Sequence, residues 1–195
     1  MGGQRSGLLA IFLWKTGERS SIMQKIKIAL GCDNVGFELK EQIKAYLTEE
    51  KNYEVVIDPI EKAEDGYLAG IRVAEEMCVG IQKDVCRLGL YICGTGLGFS
   101  TMANKYWGIR AAHASDCYTA QRARQSLNAQ ILCIGSRVLP FEYAKMVIDA
   151  FLDHPFSFAR TSSVENLQMF REHEEKVLGR SKPDYVAWSM GYEEE

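Results

Sequence analysis

The chain has 195 residues, 47% of them hydrophobic and 25% charged, with a formal net charge of −3. That length can bury one real core, and the composition is that of an ordinary globular protein. The small negative charge gives no bulk attraction to nucleic acid or to an anionic membrane, and neither is expected as a partner.

Residues 1–22 hold a short apolar stretch, Leu8 to Trp14. It is far below the roughly 18–20 residues of a membrane span, and no convincing small-residue cleavage site follows it. The segment reads as a poorly ordered extension, or as the product of an upstream start codon, with Met23 opening the first strand-like run. From there the pattern alternates. KIKIALGCD (25–33) is a β-run and VGFELKEQIKAYLTEE (35–50) an amphipathic helix. YEVVIDP (53–59) is a strand closed by Pro59, and residues 65–83 form a helix carrying Ile71, Val73, Ala74, Met77 and Val79. LGLYIC (88–93) is a buried strand, residues 98–106 begin a helix, and GIRAAHAS (108–115) is a strand. CYTAQRARQSL (117–127) is helical, AQILCIG (129–135) a strand, and residues 140–153 a helix begun near Pro140. A further helix spans 163–178, and the end reads as an arm or a loosely attached tail. Five strands alternating with helices predict a parallel sheet covered on both faces. The expected organisation is an extension over 1–22, a domain over 23–155, and a C-terminal helix and arm over 156–195.

Six cysteines are scattered singly at 32, 78, 86, 93, 117 and 133, with no C-x-x-C pair. Such usage predicts a reducing, cytoplasmic setting rather than a disulfide framework, and no metal site is expected.

The chemistry concentrates in LYICGTGLGFSTMANK, residues 90–105. In an open α/β sheet, ligands bind outside the carboxyl ends of the strands. Both GCDN (31–34) and CGTGLG (93–98) lie at such ends. Glycine at every second position lets backbone N–H groups converge on an anion at close range. A thiol at the mouth of that turn, before a helix, sits where the thiolate is favoured. A base beside an anion-stabilising turn is what proton abstraction next to a carbonyl needs. A lone cysteine at a strand end is also ordinary core. The glycines are spaced two and two rather than two and three, and they follow a middle strand, which departs from a dinucleotide fingerprint. Lys105 lies too far from Gly98 for a Walker motif.

KIALGCDNVGFELKEQI, ICGTGLGFSTMANKYWGIRAA, YTAQRARQSLNAQILCIGSRV and AKMVIDAFL together resemble the type B ribose-5-phosphate isomerase and galactose-6-phosphate isomerase family. The resemblance runs from about Lys25 to Leu152. It implies a Rossmann-like three-layer αβα sandwich, no cofactor or metal, and a homodimer or tetramer with active sites shared between subunits. It implies aldose–ketose isomerisation of a small sugar phosphate through a cis-enediolate. By position, Cys93 matches the family's base, Thr95 its partner hydroxyl and Asp33 the first-loop acid. Gly94, Gly96, Leu97 and Gly98 match the anion hole, with Asn104 beyond it, and Arg137 and Arg160 match phosphate ligands.

Several positions depart from the family. Its Asp-His is here Asp33-Asn34, and an amide carries no charge to a phosphate. Its ring-opening Arg-x-His-Asn falls on RQSL, placing Ser126 and Leu127 where His and Asn stand, with Asn128 one residue late. Its Asp-Tyr-Pro falls on Asp65-Gly66-Tyr67. Its C-terminal arginine pair keeps Arg160 and puts Val164 at the second place. His113 has two readings: a satisfied core histidine, or a substitute for the missing imidazole. The tail aromatics Tyr185, Trp188 and Tyr192 are either incidental or lie over a partner. The expected function is an isomerase with Cys93 as base. A tetrose phosphate is one economical substrate, because it has no ring to open; pentose and hexose phosphates stay open if His113, Asn128 or a tail residue opens the ring. The alternative is a non-catalytic sugar-phosphate-binding subunit of a hetero-oligomeric isomerase.

Overall fold

The computed structural model describes residues 25–66, 70–186 and 190–192. The expectations about residues 1–22, Met23, Tyr67 and Trp188 lie outside these. Five strands form one parallel sheet in the order β2-β1-β3-β5-β4. They are β1 (Ile26–Cys32), β2 (Tyr53–Ile57), β3 (Leu88–Cys93), β4 (Ala111–His113) and β5 (Ile131–Gly135). The helices are α1 (Phe37–Ala45), α2 (Gly70–Gln82), α3 (Leu97–Ala103), α4 (Cys117–Leu127), α5 (Phe141–Leu152) and α6 (Thr161–Lys176). Helix α1 packs with α5 and α5 with α4, while α2 packs with α3, which gives the three-layer αβα sandwich. Among the described residues, no helix is long and apolar enough to cross a membrane.

The central strands are apolar throughout because both of their faces are covered. Ile28, Leu30, Leu90, Ile92, Ile131 and Ile134 are at most 1% exposed. Helix α2 buries Val73, Ala74, Met77, Cys78 and Ile81, the three- and four-residue spacing of a single helix face. Helix α4 starts at Asp116, whose side chain accepts from the Thr119 N–H, and ends at Asn128 in the left-handed region. A capping carboxylate and a left-handed asparagine stop are the usual helix punctuation.

Three elements differ from the sequence expectation. The helix expected over 35–50 is α-helical only to Ala45 and continues as a wider turn, Tyr46–Glu50. The helix expected from 65 begins at Gly70, after a 3₁₀ turn at Ala63–Gly66. The strand expected over 108–115 shrinks to three residues. Gly108 has φ +68°, and Ile109 N–H closes a turn on Tyr106 O.

Residues 190–192 pack on the domain. Met190 is fully buried and Tyr192 is 3% exposed. The Tyr192 hydroxyl donates to Glu174 at 2.6 Å, Arg110 to the Met190 carbonyl at 2.6 Å, and Asn128 to the Gly191 carbonyl at 3.0 Å. Tyr192 therefore packs on its own chain, and Tyr185 is about half exposed.

Candidate active site

Parallel register brings three loops to one edge. Cys32 pairs with Ile92 across β1 and β3, and Cys93 pairs with Gly135 across β3 and β5. The loop after β1, the turn after β3 and the residues after β5 therefore meet where the strands end.

Cys93 is the last residue of β3 and is 8% exposed. Its Sγ accepts the Gly96 N–H at 3.0 Å. Gly96 has φ +82°, and a Cβ there would lie 2.6 Å from His113 Cδ2 and 3.0 Å from Cys133 O. Only glycine fits both the torsion and the space. The turn rests on Gly135, where a Cβ would meet Thr95 Cα at 2.8 Å. Beyond it α3 is tied down by Phe99, which stacks on Tyr91 of β3 at 3.6 Å. Thr95, Leu97 and Gly98 are exposed, and Thr95 Oγ1 accepts the Leu97 N–H at 3.4 Å.

The first loop closes on its own acid. Asp33 Oδ1 accepts N–H groups of Val35 at 2.9 Å and Gly36 at 2.8 Å, and Asn34 is exposed beside it. Ser136, which the sequence reading passed over, ties this loop to the turn. Its N–H donates to Cys93 O at 2.7 Å and its hydroxyl to Val35 O at 3.1 Å. No motif marks it, because both acceptors are backbone carbonyls. Arg137 N–H donates to Gly94 O at 3.2 Å, and its side chain passes Gly94, with Cδ 3.7 Å from where a Cβ would stand. Asp33, Asn34, the Cys93–Gly98 turn and Arg137 are thus brought together.

Four expected site residues are not. Asn104 follows the C-terminal end of α3, where its amide bonds Ser100 O at 2.7 Å and both backbone groups of Ala111. Its hydrogen-bonding capacity is largely spent on joining α3 to β4. Ser126 and Asn128 lie at the far end of α4, toward the edge where the strands begin. The Ser126 hydroxyl accepts from the Arg122 guanidinium, and Asn128 Oδ1 accepts from Arg124 at 2.9 Å. Exposed Arg160 is the N-cap of α6, two residues past Phe158, which lines a cavity at that same opposite edge. His113, at the end of β4, packs its ring on Gly96, and among the described residues its ring nitrogens have no hydrogen-bond partner.

Burial also acts on thiols elsewhere in the core. It pushes Cys32 and Cys86 up to about 12, and Cys78 and Cys133 upward as well. Beneath the first loop, fully buried Lys40 donates to Asp58 at 2.9 Å and to Ile60 O at 2.6 Å, fixing the segment after β2 against α1. Among the described residues no group of three His, Cys, Asp or Glu side chains is placed to hold a metal ion.

The Ribose/Galactose Isomerase family model aligns with residues 28–169. Ribose-5-phosphate isomerase B of Escherichia coli K12 is 39% identical over 139 residues, covering 69% of this chain and 88% of that protein. D-erythrulose-4-phosphate isomerase of Pectobacterium atrosepticum is 36% identical over 151 residues, covering 77% of this chain and 98% of that protein. The structure of Clostridium thermocellum ribose-5-phosphate isomerase B superposes with a TM-score of 0.71 at 33% identity, over 78% of this chain and 99% of that one. The aligned stretch runs through all five strands and the Cys93 turn, so the chain belongs to the ribose/galactose isomerase family.

Proposed function

We propose that the protein is an aldose–ketose isomerase of a small sugar phosphate, with Cys93 as the base. The observation that carries this is the thiol at the end of β3, held by the Gly96 N–H in a glycine turn whose outer residues face solvent. The sulfur takes the proton from C2 of the aldose and returns it to C1. The C2 hydroxyl proton passes to the C1 oxygen, so C2 becomes a ketone and C1 an alcohol, an internal redox change that needs no outside oxidant. Amides of the turn hold the charge that develops on oxygen, and Thr95 orients that oxygen. Arg137, beside Gly94, is the cation at this edge suited to the phosphate.

A four-carbon substrate fits the site best. The Ser126 hydroxyl is bonded by Arg122, and the Asn128 amide is shared between Arg124 and Gly191. Neither is a proton donor poised at a ring oxygen. A tetrose 4-phosphate cannot close a ring through O4, so it needs none. Relatives named D-erythrulose-4-phosphate isomerase and 4-deoxy-4-sulfo-D-erythrose isomerase support this chain length.

We read the assembly as a homodimer with shared sites. Arg160 and the end of α4 lie at the sheet edge opposite Cys93, so one copy cannot apply both groups to one substrate. Six free thiols fit a reducing cytoplasm.

The test is isomerisation of erythrose 4-phosphate, ribose 5-phosphate, allose 6-phosphate and galactose 6-phosphate by the parent and by Cys93→Ala. The expected result is turnover by the parent alone, with the tetrose preferred. Equal turnover by both proteins removes Cys93 from the mechanism. A cyclic sugar ahead by more than about tenfold in kcat/KM, ~1.4 kcal/mol, removes the ring-free reading.

A further inference from the structure

The sheet edge opposite Cys93 holds a cavity of about 360 Å³. It opens among the first residues of β1 and β3, with Lys27, Arg87, Arg110 and Arg124 in its wall and no described Asp or Glu. Strand β3 separates it from the catalytic turn by roughly 16 Å at the usual rise per residue.

The charge in this wall is not neutralised in the usual way. Arg110 is bonded to carbonyls of Gly108 at 3.0 Å, Leu127 at 2.7 Å and Met190 at 2.6 Å, and lies 4.7 Å from the Tyr192 ring. Arg124 donates through Nη1 to Asn128 Oδ1 at 2.9 Å and Ala129 O at 2.8 Å, over the Phe151 ring. Its Nε is buried and has no partner among the described residues. No described carboxylate pairs with either guanidinium. Glu174, which acts on Arg110 from a distance, is committed to Tyr192 and the Gly108 N–H. Arg87 is paired with Asp84 at 3.1 Å, and Lys27 is exposed. Burial lowers both guanidinium pKa values, and the neighbouring Arg110 charge helps to bring Arg124 down to about 10. Buried charge is ordinarily paired. Here two like charges share one cavity with dipoles and aromatic faces alone.

We propose that this cavity is a second anion site, apart from the Cys93 turn, that takes the phosphate group of a small phosphorylated metabolite. The dianion meets the Lys27 ammonium at the mouth, within the field of the Arg110 and Arg124 guanidiniums of the wall, and the remainder of the ligand meets Asn128 and Phe158. Ser126 and Arg160 are not in this wall, which shares only Arg124 and Asn128 with the α4 end that a second copy would present to the Cys93 turn. The inference stands on the cavity and does not depend on the isomerase reading. Asn128 binds Gly191 from the same wall, so a bound anion also tightens the hold on residues 190–192.

The test is nuclear magnetic resonance titration of the full chain with inorganic phosphate, against sodium chloride at equal ionic strength. Phosphate is expected to shift the Arg124 Nε–Hε signal and the amides of Asn128 and Gly191. Lys27→Glu, a surface change, is expected to weaken that response by about tenfold, ~1.4 kcal/mol, while leaving isomerisation unchanged. Arg137→Ala and Arg160→Ala are expected to leave it intact. The proposal is overturned if chloride gives the same shifts, if shifts are confined to Gly94–Gly98 and Arg137, if Lys27→Glu responds like the parent, or if either arginine variant abolishes the response.

Discussion

Gly96 joins backbone torsion to chemistry. A side chain there meets His113 and the Cys133 carbonyl, and φ must stay near +82° for the N–H to reach the sulfur. Gly96→Ala is expected to cost about 1–3 kcal/mol of stability. By turning the N–H aside it should also lower kcat by about 100-fold, with little change in KM. Steady-state kinetics beside a denaturant titration separates the two effects; an unchanged kcat would detach Gly96 from the reaction. The thiols give a second check. With Cys32 and Cys86 pushed up to about 12 by burial, only roughly one in ten thousand of each is thiolate at pH 8. Iodoacetamide should label half-buried Cys117 and Cys93, which is 8% exposed, before Cys32 and Cys86, with loss of activity following Cys93. Peptide mass spectrometry over time decides this, and early labelling of Cys32 would contradict the burial argument. At this scale the sequence exposed what carries unusual residue types: the cysteine, the glycines and Asp33. It did not expose Ser136, whose two acceptors are carbonyls that any residue supplies, or the contact of His113 with Gly96, which needs the register of β4 on β5.

Elements were legible where their ends are chemically marked. Helix α4 runs over the expected residues because Asp116 caps it and Asn128 stops it in the left-handed region. Strand β4 was overread because Gly108 and Arg110 are extended-looking letters that serve a turn and a carbonyl cluster. The Asp116 cap makes a pH prediction. The Thr119 N–H, then its hydroxyl, hold the carboxyl below its usual range. A depressed carboxyl contributes stability that is full above the ordinary carboxylate range and is lost as pH falls through the folded-state value. The parent melting temperature should therefore drop more steeply than that of Asp116→Asn between about pH 5 and pH 3. Asp116→Ala should melt below both at neutral pH, since asparagine still caps. Parallel slopes for parent and Asp116→Asn would mean that the cap is not titrating.

The whole molecule raises the question of copies. Cys93 and Arg160 sit at opposite edges of one sheet, so the shared-site reading makes inactive variants complementary. Cys93→Ala and Arg160→Ala, each nearly inactive alone, should recover about one quarter of parent activity after equal mixing and subunit exchange, because half of the dimers then carry one intact site. No recovery, with exchange verified by mass spectrometry, would place Arg160 outside the reaction.

The clasp around Arg110 has a consequence for how the protein is made. Arg110 and its partner carbonyl on Met190 are 80 residues apart. At the usual pace of translation, roughly 5–20 residues per second, the acceptor is synthesised about 4–16 s after the donor. Strands β1, β3 and β5 can pair in that interval, yet the nascent domain carries an incompletely satisfied guanidinium, and the Gln130 amide, which also donates to Met190 O, is in the same position. Met190 and Tyr192 fill the last buried places only when those residues leave the ribosome. The domain reaches its final packing only once residues 190–192 have emerged, and until then Arg110 and Gln130 depend on water for bonds that the Met190 carbonyl later supplies.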